Sequence, residues 1–99
     1  GGVAQGIGLA LMEEFLPGRT ENLHDYLIPT MGDVPRVESL IIESGDPHGP
    51  YGAKGLGEHC LIPTAPAILN AIADASGARI HHLPATPDRV RAAILSRPQ

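Results

Sequence analysis

Apolar residues recur along the first sixteen positions with the spacing of one helical face. They are Val3, Ile7, Ala10, Leu11 and Phe15, at i, i+4, i+7, i+8 and i+12. This period predicts an amphipathic helix over residues 3–16, which Pro17 and Gly18 end. Glu13 and Glu14 lie near its C-terminal end, where the helix dipole disfavours acids, so helix propensity does not explain them.

A second helix is predicted in the C-terminal half. Its apolar face comprises Ala65, Ile68, Leu69, Ile72 and Ala73. Thr64 is the expected N-cap, Pro66 is tolerated in the first turn, and Gly77 takes the C′ position after the last turn. Whether the helix already starts near Glu58 is left open, because Pro63 would interrupt a helix that starts there.

A third helix is predicted close to the C-terminus. Thr86 is its expected N-cap, and Pro87 occupies the first helical position, where a missing N–H costs no hydrogen bond. The helix continues to about residue 96. Its charged face carries Arg89 and Arg91, which are interpreted as solvated rather than functional.

The segments between these helices are predicted to form a loop and two short strands. Residues 18–35 lack a sustained period and predict a long, ordered loop pinned to a larger body. Residues 37–43 are rich in Leu and Ile between proline-containing turns, and residues 78–83 carry Ile80 and Leu83, so each predicts a short strand. The expected fold is α+β, in the order helix, long loop, short strand, glycine loop, helix, short strand, helix. Residues 1–99 form one piece of a larger domain.

A glycine-rich stretch, GAKGLGE at residues 52–58, precedes the second helix. Its three glycines let the backbone approach a bulky partner or adopt positive φ, and Glu58 ends it at the mouth of a helix. Glu58 either faces a cofactor or substrate, or complements the helix dipole. Gly6 and Gly8 in the first helix are similarly ambiguous, because a ligand or a neighbouring helix would each require close approach.

Composition excludes several classes of function. The formal charge is −4 without a basic run, so nothing suggests binding to nucleic acid or to an anionic membrane. Cys60, the single cysteine, excludes an internal disulfide. Its place beside the glycine loop would suit a reactive thiol, but we expect a small buried hydrophobe. No apolar stretch has the length of a membrane span, and the chain begins at Gly1 without Met, as a piece of something longer would. A chain of 99 residues cannot enclose a deep cofactor cleft by itself.

Familiar nucleotide and metal motifs do not fit. The cluster at Gly6 and Gly8 has Leu11 where a dinucleotide fingerprint needs a third glycine or alanine, and the glycine stretch lacks the ending of a P-loop. His48 has no partner at metal-ligand spacing. The adjacent histidines at 81 and 82 would point to opposite faces of a strand, so no metal ligand is assigned.

Several stretches together, in order, resemble the C-terminal part of the molybdenum-binding large subunit of the xanthine dehydrogenase and aldehyde oxidoreductase family. They are GGVAQGIG at 1–8, DYLIPT at 25–30, GAKGLGE at 52–58 and LPATP at 83–87, with Pro-Ala-Ile at 66–68 and Asn-Ala-Ile at 70–72. The resemblance runs along nearly the whole chain. It implies part of a molybdenum hydroxylase, a cytoplasmic or periplasmic oxidoreductase.

The resemblance also implies roles for individual residues. Glu58 would be the general base that takes a proton from a molybdenum-bound hydroxyl. Gln5 would hydrogen-bond the pyranopterin, Gly6 and Gly8 would leave room for it, and Gly57 would be a position of close approach. Lys54 is assigned no role.

The cofactor implied is molybdenum-pyranopterin, as molybdopterin or its cytosine dinucleotide form. Iron–sulfur clusters and FAD are expected on other domains or subunits. The iron–sulfur domains need many cysteines, and this chain has one. Expected partners are the remainder of the large subunit, iron–sulfur and flavin subunits, and a small-molecule substrate: a purine, an aldehyde, another N-heterocycle or carbon monoxide. The isolated chain should be inactive. The alternative is a non-catalytic interaction module that packs against a partner subunit.

Overall fold

The computed structural model describes residues 1–97, and its regular elements are helical throughout. Helix α1 spans Gly2–Leu11, α2 spans Leu61–Ser76 and α3 spans Pro87–Leu95, with a short 3₁₀ turn at Pro50–Gly52. The three predicted helices are confirmed. The predicted α+β class is wrong for this part of the chain, because neither expected strand forms within residues 1–97.

Both strand predictions failed because a strand needs a neighbour. Residues 37–43 form irregular backbone and make no backbone hydrogen bond with any other described residue. The segment 78–83 contains only bends and irregular backbone, and of it Ala78 alone is buried. β-propensity reports how well a side chain suits a pleated surface, but a ladder also requires a second strand in reach.

Helix α1 ends earlier than its apolar period predicted. Its C-cap is Met12, whose N–H donates to the Gly8 carbonyl at 2.9 Å. Beyond it, Glu13 and Glu14 turn toward other elements, so tertiary contacts end the helix before Pro17 is reached. The turn at Pro17 is a separate one, closed by Thr20 N–H donating to the Leu16 carbonyl at 2.9 Å.

Helix α2 begins two residues before Pro63, which answers the question that the sequence left open. Thr64 is therefore inside the helix and is not its N-cap, and its hydroxyl donates to the Cys60 carbonyl at 2.5 Å. Gly77 adopts the expected left-handed conformation with φ 69°, and its N–H donates to the Ala73 carbonyl at 2.7 Å. The predicted glycine C-cap is confirmed.

Helix α3 starts as predicted, with Thr86 extended at the N-cap and Pro87 first in the helix. The sequence analysis interpreted Arg89 as a solvated side chain, and this interpretation is wrong. Arg89 is half-buried, pairs with Glu14 at 2.5 Å and donates to the Pro84 carbonyl at 2.8 Å, which ties α3 to the end of α1. Arg91 is exposed, in agreement with its interpretation as a solvated side chain.

The core is small and lies between α1 and α2. Its buried apolar side chains are Ile7, Ala10, Ala65, Ala78 and Ala85. The 77–86 segment joins this core through Ala85, whose N–H donates to the Ala10 carbonyl at 2.6 Å. Cys60 lies outside it and is exposed, so the buried role expected for this cysteine is wrong. No helix of residues 1–97 has both the length and the apolar character to cross a lipid bilayer.

Candidate active site

The structure brings together the two polar residues that the resemblance singles out. Gln5 lies in the first turns of α1, and Glu58 lies in the loop before α2, 53 positions later. Gln5 Nε2 donates a hydrogen bond to Glu58 Oε1 at 3.2 Å, and both side chains are exposed. The pair therefore lies on the surface, at the place where the N-terminal ends of α1 and α2 meet.

The packing of α1 on α2 creates this meeting point. A Cβ added at Gly2 would collide with Cys60 Sγ and would lie 3.6 Å from the Gly57 carbonyl oxygen. The first turn of α1 therefore lies directly against the end of the glycine loop. Gly2 and Cys60 were not singled out for this contact by the sequence, because only the packing shows that the two helix ends touch.

The hydrogen-bonding groups at this surface suit a polar heterocyclic ligand. The first intrahelical bond of α1 runs from Gln5 N–H to the Gly1 carbonyl at 3.0 Å, so the N–H groups of residues 2–4 precede the hydrogen-bonded ladder. A primary amide carries two N–H donors and a carbonyl acceptor, so Gln5 retains one of each beside its bond to Glu58. A pyranopterin, with donors and acceptors around its rings, fits such a set.

A shallow concavity of about 270 Å³ borders Glu58. Its lining consists of Glu58, His59, Leu61 and Ile62. Among residues 1–97, no group of three or more His, Cys, Asp and Glu side chains comes together.

The glycines of the two clusters differ in what surrounds them. A Cβ at Gly6 would lie 2.5 Å from Thr64 Cβ, and a Cβ at Gly8 would meet Glu13 Oε1 and Pro29. Both positions are buried, so their free space is filled by the chain itself. Gly57 is exposed, and a Cβ there would have no protein atom within 4 Å, so its surface is open to a ligand.

The glycine loop is held at its start. Gly52 has φ 77° and accepts a hydrogen bond from Asp46 N–H at 3.1 Å. Lys54 Nζ donates to Ser44 Oγ at 2.7 Å. Lys54, which had no role in the sequence analysis, thus anchors the loop that leads to Glu58.

The exposed Gln5–Glu58 pair, the ends of α1 and α2 and the glycine loop lie on an open surface and not in an enclosed pocket. The family model for a molybdopterin cofactor-binding domain matches residues 1–35.

Relatives extend the match along almost the whole chain. The xanthine dehydrogenase molybdenum-binding subunit of Escherichia coli O157:H7 is 46% identical over 91% of this chain. The aldehyde oxidoreductase of Megalodesulfovibrio gigas is 40% identical over 95% of it. The crystal structure of quinoline 2-oxidoreductase from Pseudomonas putida 86 superposes on 98% of the chain with a TM-score of 0.86 at 36% identity.

The chain belongs to the xanthine dehydrogenase and aldehyde oxidoreductase family of oxidoreductases and corresponds to the C-terminal part of the molybdenum-binding large subunit. It is homologous to molybdenum-dependent oxidoreductase subunits. The chain spans 13% of the E. coli subunit, 11% of the M. gigas protein and 13% of the quinoline 2-oxidoreductase chain. The family expected from the sequence is thereby confirmed.

Proposed function

We propose that this chain is the part of a molybdenum hydroxylase that supplies its catalytic base, Glu58. The observation that carries the proposal is the hydrogen bond from Gln5 Nε2 to Glu58 Oε1. It joins the expected base to the expected cofactor-binding side chain across 53 positions of sequence. A carboxylate held at one oxygen by an amide donor has a defined orientation and retains Oε2 as the atom that accepts a proton.

The cofactor would be molybdenum-pyranopterin, in agreement with the match to a molybdopterin cofactor-binding domain. When bound, it supplies a metal that acidifies a coordinated hydroxyl and accepts electrons from the substrate carbon. Gln5 would bind the pyranopterin through its remaining amide groups. Glu58 Oε2 would take the proton as the new carbon–oxygen bond forms.

The glycines divide into two roles within this proposal. Gly57, open on its surface, would let the cofactor approach the main chain. Gly6 and Gly8 belong to the cofactor wall indirectly, because their missing side chains let Thr64, Glu13 and Pro29 pack against α1. Because Gly6 and Gly8 lack side chains, α1 packs closely enough to keep its N-terminal turn, with Gln5, beside the glycine loop.

The activity would require the rest of an assembly. Several relatives are named as subunits of larger enzymes. We infer that the remainder of the large subunit, with iron–sulfur and flavin domains or subunits, completes the site and removes the electrons. The substrate would be a small molecule with an electron-poor carbon, such as a purine, an aldehyde, another N-heterocycle or carbon monoxide.

The test is Glu58→Gln in the complete enzyme, which keeps the side-chain volume and removes the base. Positioned general bases contribute about 10²- to 10⁴-fold, so kcat should fall by that factor while molybdenum and molybdopterin contents stay normal. Glu21→Gln, an exposed acid in the long loop, is the matched control and should leave kcat unchanged.

Two results would contradict the proposal. One is a Glu58→Gln enzyme that keeps most of its turnover with full molybdenum content. The other is native protein that purifies without molybdenum and without a larger partner chain, which would favour the non-catalytic interaction module.

A further inference from the structure

The imidazole ring of His59 packs directly on Gly55 in the glycine loop. A Cβ added at Gly55 would overlap this ring, and it would lie 2.8 Å from Nε2 and 3.3 Å from Nδ1. The three heavy atoms nearest to that Cβ all belong to the imidazole. The ring therefore fills the space that any side chain at position 55 would need, which gives Gly55 a structural reason of its own.

This contact folds the glycine loop back on itself around Glu58. Gly55 and His59 are four positions apart, and Glu58 lies between them. On the other side, the Leu61 N–H donates to the Glu58 carbonyl at 3.1 Å, where the chain enters α2. The main chain of Glu58 is thus held between a ring contact and a hydrogen bond.

The rest of the loop has few other restraints. Residues 54–57 make no backbone hydrogen bond with any residue of 1–97. A Cβ at Gly57 would have no protein atom within 4 Å, and glycine has more backbone freedom than any other residue. The ring contact at Gly55 therefore limits the motion of a segment that would otherwise move freely.

The ring and the carboxylate border the same space. Glu58 and His59 both line the concavity of about 270 Å³ next to α2. The Glu58 side chain is exposed, and Gln5 binds it at Oε1 alone. A change in the loop backbone would therefore turn the carboxylate directly.

We propose that His59 is a positioning residue, which sets the direction of the Glu58 carboxylate by packing its ring on Gly55. The proposal rests on the role of Glu58 given under the proposed function. His59 acts through the loop and takes no proton from the substrate. A planar carbon ring at position 59 should therefore serve as well as the imidazole.

Two substitutions in the complete enzyme test this role. His59→Ala should lower kcat by about 10- to 100-fold, because a misplacement of about 1 Å has an effect of up to that size. KM and molybdenum content should stay normal. His59→Phe should restore kcat with the wild-type pH profile. His24→Ala, at an exposed histidine of the long loop, is the matched control and should leave kcat unchanged.

A double-mutant cycle tests the contact itself. Gly55→Ala should lower kcat in the wild-type background, because its methyl group displaces the ring. In the His59→Ala background it should have little further effect, since residues in contact are not additive. Gly45→Ala is the control, because a Cβ at Gly45 would have no protein atom within 4 Å.

Hydrogen exchange gives a readout that does not depend on catalysis. Peptides covering residues 53–59 should exchange about tenfold faster in His59→Ala than in the wild type, and at the wild-type rate in His59→Phe. Retained turnover in Glu58→Gln would refute the proposed base and leave this exchange result unaffected, so the two failures are distinguishable. Unchanged exchange or unchanged kcat in His59→Ala, equal losses in His59→Phe and His59→Ala, or an additive cycle would each overturn the proposal.

Discussion

At the scale of single residues, the glycines of α1 serve packing within the chain. Gly6 lies against Thr64 of α2, and Gly8 lies against Glu13 and Pro29. The sequence allowed either a ligand or a neighbouring helix at these positions. In the structure the neighbour is protein at both glycines, so a direct contact of either one with the cofactor stays a prediction.

Gly6→Ala should loosen the contact between α1 and α2. The new Cβ would lie 2.5 Å from Thr64 Cβ, a distance that forces the helices apart. Overpacking costs about 1–3 kcal/mol, of which the better helix propensity of alanine returns about 1 kcal/mol. Hydrogen exchange of peptides covering α1 in the complete enzyme should therefore speed up by up to about 30-fold, since 1.4 kcal/mol corresponds to a factor of ten.

The control for this prediction is Gly32→Ala. A Cβ at Gly32 would meet only Thr30 Oγ1 at 3.9 Å, an ordinary contact. In the Gly32→Ala enzyme, the peptides covering α1 should show the same hydrogen exchange as in the wild type. Equal exchange in Gly6→Ala as well would show that the helices tolerate the added methyl group.

At the scale of elements, two adjacent acids connect the end of α1 to the rest of the chain. Glu13 Oε2 accepts a hydrogen bond from the Tyr26 hydroxyl at 2.6 Å, and Glu14 pairs with Arg89 of α3. Glu13 and Glu14, which the helix dipole disfavours at this end of α1, thus hold the long loop and α3 respectively. Helix propensity could not reveal this, since the partners lie 13 and 75 positions away.

The contact between Tyr26 and Glu13 should make the order of the long loop dependent on alkaline pH. The hydrogen bond to Glu13, followed by burial and the negative charge of Glu13, raises the pKa of Tyr26 above its usual value. A raised pKa in the folded state means that the stabilisation is complete below the unfolded value of 10.0 and is lost as the pH rises through the folded pKa.

Tyr26→Phe removes this dependence. Protection of residues 22–30 against hydrogen exchange, corrected for the intrinsic rate, should be lower than in the wild type at neutral pH. The difference should vanish as the pH rises above the raised pKa. Tyr51→Phe, at a fully exposed tyrosine, is the matched control and should follow the wild type throughout. A Tyr26→Phe profile parallel to the wild type at all pH values would contradict the assignment.

At the scale of the whole molecule, the chain is open. Its radius of gyration is 16.8 Å and its extents are 51 × 39 × 24 Å. A compact domain of 100 residues has a radius of gyration of about 13 Å. The buried core consists of one isoleucine and four alanines, whereas large apolar side chains such as Met31 and Leu40 are exposed. The surface left uncovered is the surface that a larger domain would bury.

We therefore expect the isolated chain to lack a cooperative fold. Burying one isoleucine and four alanines cannot offset a backbone ordering cost of about 1–2 kcal/mol per residue. Circular dichroism should show partial helix that melts without a sharp transition, and calorimetry should show no unfolding peak. A cooperative transition with a matching heat-absorption peak would mean that the chain is a domain in its own right.

Local information was sufficient for the helices and for the family. The 3.6-residue period, the Thr86 and Pro87 start of α3 and the Gly77 end of α2 depend on neighbouring residues, so they are readable from sequence. The ordered glycine and glutamine motifs were likewise enough to identify the family.

Tertiary structure decided everything that joins distant positions. The Gln5–Glu58 hydrogen bond, the two acids at the end of α1 and the filled spaces at Gly6 and Gly8 depend on how α1 meets α2, the long loop and α3. Whether residues 37–43 pair as a strand likewise depends on distant residues, and the segment has no backbone hydrogen-bond partner within residues 1–97. Periodicity describes which face of an element is apolar, but only the folded chain determines what that face, or a strand edge, meets.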